Sequence, residues 1–443
     1  MQKYKMLFVL ALTLWLAGSN RLLGYHDANT YTADSNNPKA LWQTSLKNSK
    51  SSLLELKQLT SDVNDPQGRT ILKFQHSSNP NWGYTLPQTD VFYVVVPKET
   101  SSAGLPMRVI LHSAGDSAKT ALQASIVAPN YLQYQTNPGY YGIYLDCKGN
   151  SNVDWWWGWY SIKDDLTEEI KYKNALCPTE KRMTDTIMWA IEHFQIDPNR
   201  VYISGVSMGG SGSLGFGIRR GDLFAAVSVA VPAGIDHAMW RNNNFISPPS
   251  NDPPYLVDFS SPVDSWAQGQ EVLIPAMQNA KFPLIFAFGP FGHTPDITPA
   301  NTAAVEFPWL SIRKDQSYPV FTNATTDRAF GGYNPANTSS GQINAYFRWE
   351  NIIDDGNSYS ISLRLVASSE FSKPITIPAS STVDVTPRRL QKFHIVPNTA
   401  YNYKLKQSGN ILQSGVATSN GDGLLTIHDL TITATPLLLE ITP

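Results

Sequence analysis

Residues 201–212 read Val201-Tyr202-Ile203-Ser204-Gly205-Val206-Ser207-Met208-Gly209-Gly210-Ser211-Gly212, a short strand-forming run that breaks into the pattern G-x-S-x-G. The bare five-residue pattern arises by chance in roughly one chain in ten of this length, so its surroundings decide its weight. A strand-forming segment precedes it and a run of small residues follows, which is the strand, sharp turn and helix of a nucleophile elbow. The chemistry explains the residue types. A serine at the tip of a tight turn holds its hydroxyl clear of the backbone. The flanking glycines let strand and helix approach closely. The helix N-terminus then turns N–H groups and its positive dipole end towards any oxyanion formed at that hydroxyl.

The rest of the chain bounds the setting. At 443 residues with 42% hydrophobic and 16% charged residues, it has material for two or three domains and a large core. A net charge of −2 gives no electrostatic case for nucleic acid. The N-terminus reads as a signal peptide, residues 1–24: Lys3 and Lys5 supply positive charge, Met6 to Ala17 is an apolar run too short to span a bilayer comfortably, and Ala17-Gly18-Ser19 or Gly24 offers small residues for cleavage. A secreted or periplasmic protein without a membrane anchor is expected. Cys147 and Cys177 are the two cysteines; export would let them pair, two buried thiols are the alternative, and neither stands in a zinc-type spacing.

Apolar strands alternating with helices predict a mostly parallel, doubly wound sheet over residues 88–312. The strands are expected at Val91–Val96, Met107–His112, Tyr140–Leu145, from Val201 into the elbow, Phe224–Val231, Tyr255–Phe259 and Phe282–Phe288, with a helix at Lys181–Phe194. Residues 25–87, rich in Asn, Ser and Thr, read as an irregular extension. From residue 313 to 443 the pattern becomes short strands with turn residues between them, as at Ser358–Val366, Thr382–Val385, His394–Val396, Tyr401–Leu405 and Leu424–Ile427, and predicts an all-β, sandwich-like domain.

A serine hydroxyl needs a base, and the base an orienting carboxylate, in the chain order Ser, acid, His for this topology. His293, in the glycine-flanked loop after Phe282–Phe288, is the favoured base. His237 leaves little room for an acid between itself and Ser207. Two aspartates compete for the acid: Asp264, in the loop after Tyr255–Phe259, is preferred, and Asp258, within the strand, is the rival. Asp236, Asp252 and Glu271 are more distant alternatives. An aspartate placed like Asp264 is often only a helix cap. The oxyanion hole needs two backbone donors. Met208 supplies one, and the loop His112-Ser113-Ala114-Gly115-Asp116 the other, through Ala114 or, nearly as well, Ser113; His112 reads as a residue that shapes this loop. Trp155, Trp156, Trp157 and Trp159 form an unusual aromatic run. Neighbouring side chains in an extended segment point opposite ways, so at least one ring is expected on the surface, as a stacking platform for a sugar or aryl group; a loop pinned to the domain by its aromatics is the competing reading.

Residues from about Val91 to Thr294 resemble the secreted α/β-hydrolase esterases of the feruloyl esterase, acetylxylan esterase and polyhydroxybutyrate depolymerase-like group. The resembling pieces are LHSAGD, IDPNRVYISGVSMGGSGSLGFGIRRGDLFAAVSV and PLIFAFGPFGHT. The resemblance implies an α/β-hydrolase fold, with Ser207 as nucleophile, His293 as base and the backbone of Met208 and the Ser113–Ala114 loop as oxyanion donors. Two departures stand out. The chain has Ser260-Ser261-Pro262-Val263-Asp264 where the family usually shows G-x-x-D, and Ser113 where it more often has glycine. The implied chemistry is acyl transfer to serine and then to water, which requires neither metal nor organic cofactor. The expected substrate is an acyl ester, feruloyl or acetyl, linked to polysaccharide. A polyester depolymerase, a serine peptidase and a non-catalytic glycan-binding protein are the rival readings.

Overall fold

The computed structural model describes residues 54–443, apart from 85–86, 88, 99–103, 148–154, 158–174, 236–237 and 239–251. The expected signal peptide and the first half of the expected extension therefore lie outside the described residues, as do His237, Asp236 and Trp159. No described helix is long and apolar enough to cross a membrane.

A ten-stranded sheet carries the site. Its strands in chain order are β1 (Leu56–Leu59), β2 (Thr70–His76), β3 (Val91–Val96), β4 (Met107–Leu111), β5 (Tyr141–Leu145), β6 (Val201–Val206), β7 (Ala226–Ala230), β8 (Tyr255–Ser260) and β9 (Leu284–Phe288). After β10 (Tyr318–Thr322), which belongs elsewhere, β11 (Gly341–Ile343) completes it. The spatial order is β1-β2-β3-β5-β4-β6-β7-β8-β9-β11. Strands β5, β4, β6, β7, β8 and β9 run parallel, whereas β1 to β3 and β11 pair antiparallel at the two edges. The crossover of β4 and β5, with an antiparallel strand beyond it and the G-x-S-x-G turn after the next strand, is the α/β-hydrolase fold.

Burial on both faces explains the near-continuous apolar strands. Along β4, Met107, Val109 and Leu111 enter one core and Ile110 the other. The first face is covered by α2 (Pro178–His193), α3 (Met208–Gly217) and α4 (Gln270–Asn279); the second by α1 (Ala118–Val127) and the short α5 (Thr302–Val305). Helix α2 starts three residues earlier than expected because Cys177 caps it. The thiol accepts from the Glu180 N–H at 3.4 Å, and the Glu180 carboxylate accepts from the Cys177 N–H at 3.0 Å. Glu180 also pairs with Arg219 at 2.9 Å, both side chains buried, which fixes α2 against the end of α3. Cys147 and Cys177 are both buried and are not joined in a disulfide.

The C-terminal region forms two further antiparallel sheets, β10-β14-β17 and β12-β13-β18-β15-β16. The strands are β12 (Phe347–Asp354), β13 (Tyr359–Leu365), β14 (Ser380–Arg388), β15 (Ala400–Gln407), β16 (Asn410–Thr418), β17 (Ile427–Thr433) and β18 (Leu437–Thr442). Both sheets contribute to one core, with Val383, Val385 and Ile432 from one and Ile361, Leu363 and Leu439 from the other, as in a β-sandwich.

Four expectations differ from this architecture. Residues 56–76, read as part of an irregular extension, form β1 and β2 of the main sheet. Their half-polar composition suits the antiparallel margin of the sheet, where β1 is the edge and β2 its neighbour, and the apolar-run criterion does not detect it. The expected boundary at 312/313 is crossed by β11, whose three residues pair with β9. His394–Val396 is not a strand, and the segment at Leu424 becomes one only from Ile427.

Candidate active site

The elbow is built by steric necessity. Ser207 sits at φ 56°, ψ −122°, a strained backbone conformation for a residue with a side chain. Its N–H donates to the Ala230 carbonyl at 3.0 Å, and its carbonyl accepts from Ser211 at 2.9 Å and Ala233 at 3.1 Å, so the turn is held on both sides. A Cβ on Gly205 would lie 2.3 Å from the Gly209 carbonyl oxygen, and a Cβ on Gly209 would lie 2.1 Å from that of Leu111. Only glycine permits either approach. All ten residues of α3 are buried although the helix is glycine-rich; tertiary packing sustains it against poor intrinsic propensity.

The fold brings Ser207, His293 and Asp264 together. His293 follows β9 in a loop that turns at Gly292, φ 68°, and is anchored by the Gly292 N–H donating to Ser261 Oγ at 2.9 Å. Its Nε2 lies 2.8 Å from Ser207 Oγ and its Nδ1 2.6 Å from Asp264 Oδ2. With Nδ1–H donating a hydrogen bond to the carboxylate, Nε2 presents its lone pair to the serine hydroxyl. The His293 side chain is 10% exposed and that of Asp264 3%. Water therefore reaches the imidazole but hardly touches the carboxylate. Asp264 also caps the turn that follows, accepting from the Trp266 N–H at 3.0 Å through Oδ1. The cap orients the carboxylate while Oδ2 remains for the imidazole, so the two readings of this residue are compatible.

The other candidate acids among the described residues, Asp258, Asp252 and Glu271, are engaged elsewhere. Asp258 is fully buried in β8, where it accepts from Gln270 at 2.7 Å and Ser260 at 3.3 Å. Burial, partly opposed by those two hydrogen bonds, pushes its carboxyl up to about 7. Asp252 pairs with Arg388 at 2.7 Å, and Glu271 accepts from the Gly269 N–H at 3.0 Å.

Met208 is the first residue of α3, whose first-turn N–H groups have no intrahelical acceptor. In the facing loop the Ser113 N–H is taken, donating to Tyr134 Oη at 3.1 Å. Ala114, exposed and followed by Gly115 at φ 77°, remains the available position of the two. His112 is buried: its Nδ1 lies 2.8 Å from the Ser113 carbonyl oxygen, and its Nε2 accepts from the Cys147 N–H at 3.2 Å. It shapes the loop.

The tryptophan expectation needs correction. Trp155, Trp156 and Trp157 are 5%, 0% and 1% exposed, so none of the three offers a stacking face. They occupy a turn, where the alternation of an extended chain does not apply. Trp156 Nε1 donates to the His112 carbonyl at 3.0 Å, and its ring packs edge-on to the imidazole at 5.0 Å between centroids. Trp156 is a wedge against the start of the loop that follows β4. Among the described residues, an aromatic that does lie beside the site is Trp266, half-buried, with its ring 6.4 Å from that of His293; its position two residues after the favoured acid was the available signal.

No protein-family profile matches the chain, and no curated protein does. Among solved structures it is similar to an S-formylglutathione hydrolase from Agrobacterium tumefaciens (17% identity, 54% of this chain and 92% of that one, TM-score 0.38). It is also similar to an acetyl xylan esterase from Aspergillus awamori (15% identity, 58% and 99%, TM-score 0.37). A third is a ferulic acid esterase from Anaeromyces mucronatus in complex with ferulic acid (15% identity, 54% and 88%, TM-score 0.35).

Proposed function

We propose that this chain is a serine carboxylic ester hydrolase. One observation carries the reading: Asp264, His293 and Ser207 form a continuous hydrogen-bonded line that ends on a strained serine at a helix N-terminus. His293 takes the hydroxyl proton as Ser207 Oγ attacks the ester carbonyl carbon, and Asp264 holds the imidazole in the required tautomer and steadies the imidazolium. The N–H groups of Met208 and Ala114 receive the charge of the tetrahedral intermediate. Its collapse expels the alcohol, protonated by His293. Water, deprotonated by the same imidazole, then attacks the acyl carbon; the bond to Ser207 Oγ breaks, the imidazole returns the proton to Oγ, and the acid leaves.

Within that class, an acyl ester of a polysaccharide, feruloyl or acetyl, handled outside the cytoplasm, is the substrate we propose. The resemblance of the elbow and histidine segments, together with the export-like N-terminus, supports it; the buried tryptophans do not. The test is hydrolysis of p-nitrophenyl acetate by the wild type and by Ser207→Ala, followed by acid release from acetylated xylan, feruloylated xylan and a polyester film. The wild type is expected to turn over the nitrophenyl ester and at least one xylan ester, with Ser207→Ala reduced to background. A wild type no better than Ser207→Ala on all four would end the hydrolase reading. Activity confined to the polyester would replace the substrate while keeping the chemistry.

A further inference from the structure

The loop after β4 carries a serine at position 113, and the structure gives that hydroxyl a full set of partners. Ser113 Oγ donates to the Val206 carbonyl at 3.0 Å and lies 2.6 Å from Tyr134 Oη. A hydroxyl has one proton to give. With that of Ser113 committed to Val206, the Tyr134 O–H donates to Ser113 Oγ, and Tyr134 Oη in turn accepts the Ser113 N–H at 3.1 Å. The three residues are 2%, 2% and 1% exposed for Ser113, Tyr134 and Val206, so water does not compete for these bonds. Val206 immediately precedes the nucleophile. The chain of bonds therefore joins the oxyanion loop to the elbow itself.

Two further bonds, on the carbonyl of the same residue, orient the next peptide. The Ser113 carbonyl oxygen lies 2.8 Å from His112 Nδ1 and accepts the Asp116 N–H at 3.1 Å, which closes a turn over 113–116 with Gly115 at φ 77°. No described peptide bond is cis. In a trans peptide the N–H points opposite to the carbonyl of the preceding residue. Pinning the Ser113 carbonyl against His112 thus aims the Ala114 N–H the other way, towards the exposed side of the loop.

We propose that Tyr134 and the Ser113 hydroxyl are positioning residues that fix the Ala114 N–H relative to Ser207 and so set the strength of the oxyanion hole. Neither need touch the substrate. The inference rests on the ester-hydrolase reading and extends it to residues outside the triad.

The test compares the wild type, Ser207→Ala, Tyr134→Phe, Ser113→Ala and the Tyr134→Phe/Ser113→Ala pair on p-nitrophenyl acetate. A misaimed donor weakens transition-state binding alone. In each single variant kcat and kcat/KM should therefore fall together, about ten- to thirtyfold, with KM within about twofold of wild type. Because both act through one chain of bonds, the pair should be no worse than about twofold below the poorer single. Inhibition by phenylboronic acid, whose tetrahedral adduct on serine places an oxygen in the hole, should weaken by a similar factor. A purely structural role would leave kcat and boronate affinity unchanged while lowering the melting temperature, and that result overturns the inference, as does a rise in KM alone. Should Tyr134→Phe fail to fold, Ser113→Ala decides by the same criteria. Failure of the parent reading looks different: the wild type would then be indistinguishable from Ser207→Ala.

Discussion

Gly212 and Trp156 meet with no room between them: a Cβ on Gly212 would stand 2.3 Å from the Cβ of Trp156. That atom is the stem of the ring and cannot swing away as a flexible tip would. Replacing glycine by alanine inside a helix normally stabilises it by about 1 kcal/mol. Here the added methyl must displace a fully buried tryptophan that also supports the His112 carbonyl, and overpacking of this kind costs roughly 1–3 kcal/mol or more. Gly212→Ala is therefore expected to destabilise the protein by up to about 2 kcal/mol net. Urea unfolding measures it directly, and a midpoint at or above that of the wild type would show that helix and ring separate freely.

That contact also shows where sequence reasoning stops. The elbow was legible because a strained serine between close-packed elements demands glycine at fixed offsets, and His293 because it follows the last parallel strand in a glycine-flanked loop. The tryptophan run was not legible. Three adjacent rings can all be buried once the chain turns at every residue, and nothing local announces the turn. The acid was half legible: Asp264 and Asp258 differ by six positions, and only the fold shows that one emerges beside the imidazole while the other stays inside β8. Strand β11 escaped because three residues, Gly341 to Ile343, carry no periodicity.

The two aspartates should separate cleanly in activity. Asp264→Asn keeps the size of the side chain and can still cap the Trp266 N–H, but it offers His293 Nδ1 a weaker or wrongly polarised partner. A loss of about 10³–10⁴ in kcat is expected for such a change, with KM little altered. Asp258→Asn should leave kcat within about threefold of wild type. Steady-state kinetics on p-nitrophenyl acetate decide it, and the reverse ranking would move the triad acid to Asp258.

Asp258 should reveal itself in stability. Its folded-state carboxyl is raised to about 7 by burial, whereas in the unfolded chain it titrates near 4. Between those values the folded state holds a proton that the unfolded chain releases. Its contribution is thus most favourable below about pH 4, declines as pH rises to about 7, and is constant above. Asp327 carries the same sign, since burial raises it to about 7 as well, so the whole-protein profile mixes the two and a variant is needed to isolate one. The stability of Asp258→Asn relative to wild type should rise by roughly 2–4 kcal/mol between pH 4 and pH 8. Denaturant unfolding at the two pH values provides the measurement, and a difference that does not change with pH would place the carboxylate in a far more polar setting than the structure gives it.

The C-terminal region should prove indispensable to the hydrolase rather than an appendage. Ile343 pairs with Phe286 at the edge of the main sheet, and Tyr255 of β8 stacks on Trp349 at 5.3 Å between ring centroids. Arg389 reaches back to the Pro253 carbonyl at 3.0 Å, and Arg388 to Asp252 at 2.7 Å. Ending the chain at Ile312 would uncover the open edge of β9, whose Leu284–Phe288 run is wholly apolar, and would expose Tyr255 and Phe307, each 3% exposed or less in the intact protein. An unpaired apolar edge strand is a template for aggregation. The fragment 1–312 is expected to be insoluble when expressed alone, or to unfold without a cooperative transition, and to lack esterase activity in either case. A soluble fragment with wild-type turnover of p-nitrophenyl acetate would show instead that the interface is incidental to the catalytic fold. Extending the fragment through Val366, which restores β10 to β13, should not rescue it, because β13 would then present to solvent the edge that β18 covers in the whole chain.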